Sequence, residues 1–393
     1  MIDRSPHRLT PSPCLPRIFL IGHPGDVGGA RTEIWHTVRL WRRFGLPVVA
    51  VPTWTADPAW TARLAAIGVP TVEIRPPTCP ADLDAIPGLR GSTVVSFCNA
   101  HFIAAADHFR DLGCPIVWVN CMTWQSPAER THQRRRGPFD RYVFQSRHQA
   151  ETLIGKAESG KRKAGEEKQK AESGKPKGDE VCPAFRFPLS AFPERCRLIR
   201  GAFCPEDFSF RPRPHETGQP FFVGRISRAA ADKFPRNTWT LLSQIPHPLR
   251  ARVMAWNAKV ERKLGPPPRW AQCLPAGAEP SAEFFASLHC MLQPSGGADE
   301  NWPRSGLEAM AAGVPIVAPD RWGWREMIEH GRTGLLAQND AELVAYTARL
   351  AYDEDLRLAI AHRARRALVE ELAEPEAIWG GWRALFRSLE ASP

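Results

Sequence analysis

The stretch LQPSGGADENWPRSGLEAMAAGVPIVAPDRWGWREMIEHGRTG, Leu292 to Gly334, decides how the rest of the chain folds. It parses as a strand end, a loop, a short helix, a strand, a second loop, a helix and a turn. Two carboxylates stand in it, Glu300 and Glu308, with seven residues between them. One reading makes Ser305 an N-cap and Glu308, three residues later, the second half of a capping box that opens an Ala-rich helix. The competing reading leaves both carboxylates free to receive a ligand.

Away from this stretch, short apolar runs alternate with segments of helical spacing. Pro16 to Ile21 (PRIFLI) ends in the Gly-rich turn GHPGDVGGA. In TEIWHTVRLWRRFG the apolar residues Ile34, Val38, Trp41 and Phe44 advance by four, three and three, which is helical spacing, and Gly45 stops it. PVVAVP follows, completing a strand–turn–helix–strand unit. Gly28 and Gly29 allow close approach to the backbone, and the helix N-terminus offers N–H donors and positive potential. The turn lacks a full G-x-G-x-x-G, so an ordinary tight turn stays open as an alternative. Further helices are expected over Ala59 to Ile67, over Ala100 to Leu112 and from Arg147, and strands at TVEI, Ser92 to Phe97, Pro115 to Asn120 and Asp140 to Ser146. Strands of continuous Val and Ile between helices point to a buried parallel sheet. The cluster RTHQRRR, Arg130 to Arg136, is expected to be a solvated loop.

Lys156 to Asp179 differs in kind. It has no large apolar residue, mixes both charges and contains KAESGK twice, which predicts a disordered insertion. The Pro-rich segment from Arg211 to Pro220 has linker composition. A second α/β unit starts at PFFVGRIS. Helices are expected at Asn237 to Gln244, around Lys259 and at Ser281 to Leu288, with strands at ARVMAW and HCMLQPS. The chain ends in helices over Asp340 to Tyr352, Asp355 to Glu371 and Pro375 to Leu389.

Composition bounds the function classes. The 393 residues make two or more domains at ~150 residues each. Apolar residues are 43% of the chain, yet no run approaches the ~18 needed to span a membrane. The N-terminal segment MIDRSPHRLTPSPCLPR has no apolar core, so a secretory signal is not expected. Ten cysteines (Cys14, Cys79, Cys98, Cys114, Cys121, Cys182, Cys196, Cys204, Cys273 and Cys290) include no C-x-x-C pair, and they are expected to be reduced, mostly buried thiols of a cytoplasmic protein. The net charge of +10 is dispersed and accompanies no nucleic-acid motif, so it points to anionic substrates or to a plain basic surface.

The second candidate site is FVGRIS with Lys233 beyond it. Gly224 admits close approach, Arg225 supplies a donor fork suited to phosphate and Lys233 a point charge. In open parallel sheets ligands bind beyond the strand C-termini.

Taken together, these segments resemble the retaining glycosyltransferases of the GT-B fold, specifically glycosyltransferase family 4 (glycosyl transferases group 1). GRIS…K is similar to that family's donor-phosphate motif, QPSGGADENWPRSGLEAMAAGVPIVA to its E-x7-E signature, and GWREMIEHGRTGLL to the segment that follows. RCRLIRGAFCPEDFSFRP resembles the segment that leads out of the first domain. The resemblance runs from Arg17 to about Leu389, leaving out the Lys-rich insertion.

The fold implied is α/β, with two Rossmann-like domains facing across a cleft. The expected division is a disordered 1–16, an acceptor-side domain over 17–210 with its insertion at 155–180, a linker over 211–220, a nucleotide-sugar domain over 221–374 and a crossover helix over 375–393. By resemblance, Gly28, Gly29 and Gly224 shape the donor site, Arg225 and Lys233 neutralise its diphosphate, Glu300 binds the transferred sugar and Glu308 the ribose. Amides after Glu300, at Asn301 and Trp302, face sugar or phosphate. Glu326 matches a family glutamate of less certain role. Glu300, Arg225 and Lys233 are the catalytic expectations, with no metal and no cofactor beyond the donor itself. The family's first-domain histidine is missing: that region reads Asn120, Cys121, Met122, and His101 and Asn120 are the acceptor-side candidates. The partners implied are a nucleotide-sugar and a saccharide or lipid-linked acceptor, with contact at the inner membrane face left open and no nucleic acid. The setting implied is surface polysaccharide or glycoconjugate synthesis. A non-catalytic sugar-nucleotide-binding scaffold and a sugar-nucleotide epimerase of the same fold are the alternatives.

Overall fold

A computed structural model describes residues 15–26, 28–75, 79–154, 193–216 and 218–390. The N-terminal lead-in up to residue 14 and the Lys-rich stretch lie outside the described residues.

The described strands form two six-stranded sheets in which every pairing is parallel. The first holds β1 (Ile18–Ile21), β2 (Val48–Val51), β3 (Thr93–Phe97), β4 (Ile116–Val119), β5 (Arg141–Phe144) and β6 (Cys196–Leu198), in the order β2-β1-β3-β4-β5-β6. The second holds β7 (Phe221–Ile226), β8 (Leu249–Met254), β9 (Ala271–Leu274), β10 (Cys290–Leu292), β11 (Ile316–Pro319) and β12 (Leu335–Ala337), in the order β12-β11-β10-β7-β8-β9. Each order reverses direction once, between β1 and β3 in the first sheet and between β7 and β10 in the second. A crevice opens beyond the strand C-termini at such a reversal, because the flanking connections leave on opposite faces.

Both sheets are covered by helices, which is why their strands are apolar throughout rather than alternating. On one face of the first sheet, Ile34, Val38 and Trp41 of the Gly29–Arg43 helix pack with Ile378, Trp379, Trp382 and Phe386 of the last helix, Pro375–Glu390. The Trp41 and Trp382 rings meet edge to face at 5.0 Å. On the other face, Phe102, Phe109 and Trp118 stack in a second cluster. The last helix therefore belongs to the first domain's core, and the chain crosses between domains twice. Each buried apolar side chain of this kind contributes about 1.5–3 kcal/mol of transfer free energy, enough to hold the returning helix.

Three sequence expectations change. TVEI makes only one bridge, Thr71 to Ala50, outside the edge strand β2. Arg130–Arg136 is not a loop but the end of a helix, Pro127–Arg136, opened by a true capping box in which Ser126 and Glu129 each accept the other's backbone N–H. Its last-turn arginines pair with the neighbouring Ala100–Asp111 helix: Arg135 with Asp107, and Arg136 with Asp111 at 3.2 Å. The thiols are less buried than their apolar contexts imply: of the described cysteines only Cys114 and Cys290 are fully buried, and no disulfide links any of them.

Candidate active site

The reversal point of the second sheet gathers the charged residues of the two motifs. Arg225, near the end of β7, is only 3% exposed. Its Nη2 donates to the Lys233 carbonyl at 2.8 Å and its guanidinium lies 4.8 Å from the Phe234 ring centroid. Its Nε and Nη1 have no partner among the described residues. Burial lowers its pKa to about 10, opposed by Glu300, so it stays cationic at neutral pH. Lys233 closes a short 3₁₀ turn, and its Nζ meets Glu300 Oε1 at 2.9 Å. Three residues from separate segments thus form one cluster of two cations and one anion beyond the strand ends. Two unpaired guanidinium nitrogens in it await an acceptor.

Gly224 is placed differently from its expected role. It sits inside β7, and a Cβ there would lie 2.6 Å from Leu288 Cδ2 and 2.8 Å from the Arg252 carbonyl. Its lack of a side chain makes room for Leu288 and for the backbone of the neighbouring strand β8.

The surroundings of Glu308 remove one of its two readings. The helix over Arg304–Ala312 starts after Pro303, which makes no side-chain cap bond, so Ser305 lies inside the helix and not at its cap. No capping box forms. Burial instead pushes the Glu308 carboxyl up to about 7, opposed by Arg304. A half-buried, desolvated carboxyl without a cap role is costly to keep charged, and such groups cluster at functional sites.

Arg304 was not singled out by sequence reasoning. It is 8% exposed, and its Nη1 donates to the Ala202 carbonyl at 3.0 Å, tying the donor-side helix to the interdomain connection. Its Cδ would lie 3.9 Å from a Cβ on Gly29, at the start of the first helix. Glu33, one turn further along that helix, is 4% exposed, and burial raises its carboxyl to about 7 against the pull of Arg304. The Arg304 guanidinium therefore acts through space on two carboxyls, Glu33 of the first domain and Glu308 of its own helix. The signal was a lone arginine at the start of an Ala-rich helix, which is weak without a structure.

On the first domain, Gly28 precedes the helix start with φ 99°, a conformation that favours glycine. His101 lies at the start of the Ala100–Asp111 helix, its ring edge-on to Trp54 at 4.2 Å. The Asn120 side chain turns inward: Oδ1 accepts from Met122 N–H at 2.7 Å and Nδ2 donates to Trp124 O at 3.4 Å. The Asn301 side chain also turns away from the cluster and into the first domain, bonding Gln145, Ser146 and Gln149. The Trp302 ring is buried in the second domain's core, with the Arg200 guanidinium 5.4 Å from its centroid. Glu326 accepts from Arg147 N–H at 2.9 Å and His148 N–H at 2.7 Å, capping the first domain's Arg147–Leu153 helix. The Glu300–Trp302 backbone is pressed against Gly323, whose N–H donates to the Glu300 carbonyl at 2.8 Å.

Solved structures share this fold. Anabaena HepE in complex with UDP-glucose superposes with a TM-score of 0.63 at 14% identity, over 96% of this chain and 100% of that one. A glycosyltransferase from Rickettsia africae superposes with a TM-score of 0.69 at 11% identity, over 96% and 100%. The fold is GT-B. Within this GT-B chain, residues 220–353 match the family model described as Glycosyl transferases group 1. A GDP-mannose-dependent alpha-mannosyltransferase from Mycolicibacterium smegmatis is 41% identical over 59 residues, a match that spans 15% of each chain.

Among the described residues of the GT-B chain, one group has metal-ligand proximity, His36, Cys204 and Asp207. His36 and Cys204 line a cavity of about 210 Å³ between the first helix and the interdomain connection. Two of the group's side chains are already engaged: His36 Nδ1 accepts from Cys204 N–H at 3.1 Å, and Asp207 pairs with Arg39 at 2.5 Å. No helix among the described residues is long and apolar enough to cross a membrane.

Proposed function

We propose that this GT-B chain transfers a sugar from a nucleotide-diphosphate donor to a saccharide or lipid-linked acceptor, with retention of configuration. The observation that carries the reading is the Arg225–Lys233–Glu300 cluster at the reversal of the second sheet, with two guanidinium nitrogens unpartnered. The match of residues 220–353 to the group 1 glycosyl transferase model supports it, as does the likeness to a UDP-glucose-bound fold.

Cleaving a sugar–diphosphate bond builds negative charge on the leaving group and positive charge on the ring. Arg225 and Lys233 stabilise the first, preorganised in a site where their desolvation is already met by the fold. Displacing the Lys233–Glu300 ion pair frees the lysine for phosphate and the carboxylate for sugar hydroxyls. Glu308, as a carboxylate, accepts both ribose hydroxyls. These cations offset the diphosphate charge, so the reading calls for no metal and no further cofactor. In this scheme a donor phosphate oxygen takes the acceptor's proton on the face where the new bond forms. No protein nucleophile is used, and isolation of a covalent glycosyl-enzyme overturns this version. A role in surface glycoconjugate synthesis, in the cytoplasm or at the inner membrane face, fits that acceptor class.

The test is a thermal-shift screen with UDP-, GDP- and ADP-sugars, run beside Arg225→Ala and Glu308→Ala. Stabilisation of the wild type by one donor class, lost in both variants, is the expected result. Full donor stabilisation of both variants overturns the site. Donor binding with neither hydrolysis nor transfer favours a non-catalytic scaffold, and conversion of free donor without acceptor favours an epimerase.

A further inference from the structure

Among the side chains that join the two halves of the cleft, one reaches furthest. Gln149, fully buried on the first domain, uses its whole hydrogen-bonding capacity. Its Nε2 donates to the carbonyls of Asn120 at 2.5 Å and Met122 at 2.7 Å. Its Oε1 accepts from Gln145 N–H at 2.8 Å and from Asn301 Nδ2 at 3.0 Å. Asn301 is the residue after Glu300. Asn120 and Met122 bound the loop that follows β4, on the acceptor side. One peptide step and two hydrogen bonds therefore run from the proposed sugar-binding carboxylate to the acceptor loop.

The orientations in this network support one another. Gln149 cannot be turned over, because two carbonyl oxygens face its Nε2. Its Oε1 must then face Asn301, which requires the Asn301 amide nitrogen on that side. Asn301 Oδ1 consequently faces the Ser146 hydroxyl, which donates to it, while Ser146 Oγ accepts from Gln149 N–H at 3.0 Å. Asn301 Nδ2 also donates to Gln145 Oε1 at 3.0 Å. Gln145, Ser146, Gln149 and Asn301 are each at most 5% exposed. The Glu326 carboxylate holds the same turn from a second point, through Arg147 and His148 N–H.

An interface held by apolar packing tolerates sliding. A buried polar network does not, since each group is costly unless its partner is in place. Moving one domain by about 1 Å stretches the Asn301–Gln149 bond beyond hydrogen-bonding range. We propose that Asn301 and Gln149 are positioning residues that set the separation between the donor sugar and the acceptor loop. The inference rests on the glycosyltransferase reading for its consequence, and on the network alone for its geometry. Neither side chain touches the reacting atoms: both face the interface.

Asn301→Asp tests it. The new oxygen faces Gln145 Oε1 and the Gln149 Oε1 that cannot turn away, so the contact becomes repulsive. Ser146→Ala is the milder companion, removing two bonds, the one to Asn301 Oδ1 and the one from Gln149 N–H, and little bulk. With the donor found in the screen, transfer is expected to fall about 10- to 100-fold in Asn301→Asp, the scale of a ~1 Å misplacement. The affinity for the nucleoside diphosphate alone should stay within about 2-fold, because Arg225, Lys233 and Glu308 carry it. The ratio of donor hydrolysis to transfer should rise, as water replaces a misplaced acceptor. Wild-type transfer in folded Asn301→Asp overturns the proposal, as does a loss of diphosphate affinity in proportion to the loss of rate. Small-angle scattering of the ligand-free proteins decides the geometry without turnover: Asn301→Asp and Ser146→Ala are expected to show a larger radius of gyration than wild type, and equal radii overturn it. A wild type that turns over no nucleotide-sugar sinks the functional reading and leaves the scattering result to judge the network.

Discussion

Replacing Glu308 by glutamine separates the ligand-binding role of this carboxylate from any structural one. Burial raises its pKa to about 7, against an ordinary 4.5. A carboxyl raised in the fold is favoured in its protonated form. Its contribution to stability is complete below the unfolded pKa of about 4.5 and is lost as pH rises through about 7. Between pH 6 and pH 8 that loss is about 1.3 kcal/mol. The amide that replaces it does not titrate, so the stability of Glu308→Gln relative to wild type should rise by about 1.3 kcal/mol from pH 6 to pH 8. Any packing cost of the amide is independent of pH and drops out of the difference. Glu33, in the same Arg304 field, titrates in both proteins and cancels to first order. The assay is urea unfolding at pH 6, 7 and 8, with nucleoside diphosphate affinity measured on the same samples. At pH 8 that affinity should fall at least about 10-fold, since charge-assisted hydrogen bonds to ribose contribute about 1.5–3 kcal/mol each. Wild-type affinity should itself weaken as pH falls below about 7, where the carboxyl becomes protonated. A glutamine variant destabilised equally at every pH, with unchanged affinity, would refute the reasoning and return Glu308 to a structural role.

Two further outcomes follow from packing. In Gly323→Ala the new Cβ would stand 1.6 Å from the Asn301 carbonyl, so the Glu300–Trp302 loop must move; diphosphate-sugar affinity should drop at least about 10-fold while the first domain's unfolding is unchanged, and wild-type affinity by calorimetry would contradict it. Trp382→Ala empties a site 2% exposed between Trp41 and Phe386 and should destabilise the first domain by about 3–5 kcal/mol in urea; a loss under about 1 kcal/mol would show that the last helix does not complete that core.

Much of the architecture was legible in the chain because its signals are local. Continuous Val/Ile strands, helical spacing and Gly or Pro stops depend on neighbours within a few residues. Asp340–Tyr352 was bounded to the residue, and Asn237 to Gln244 and Pro375 to Leu389 each within one. The misses share a cause as well. β9 is short and half-exposed, so AQCL carries little apolar contrast. The arginines of Pro127–Arg136 hid a helix whose partners, Asp107 and Asp111, lie on another element.

The site divides along the same line. The sequence determined that Arg225, Lys233, Glu300 and Glu308 stand in motif order, with an Arg225-to-Lys233 spacing slightly longer than the commonest version, and it offered two readings of Ser305–Glu308. Only the tertiary structure removed the capping box, because the helix begins at Arg304 and leaves Ser305 no cap to make. Only it turned the Asn301 side chain toward the first domain, gave Glu326 a helix to cap, and set Arg304 in the electrostatic field of both Glu33 and Glu308. Each of these depends on residues brought together from opposite domains, Gln149 with Asn301 and Arg147 with Glu326. Local pattern carries no record of such pairs, since the energy that selects them appears only once both domains have packed.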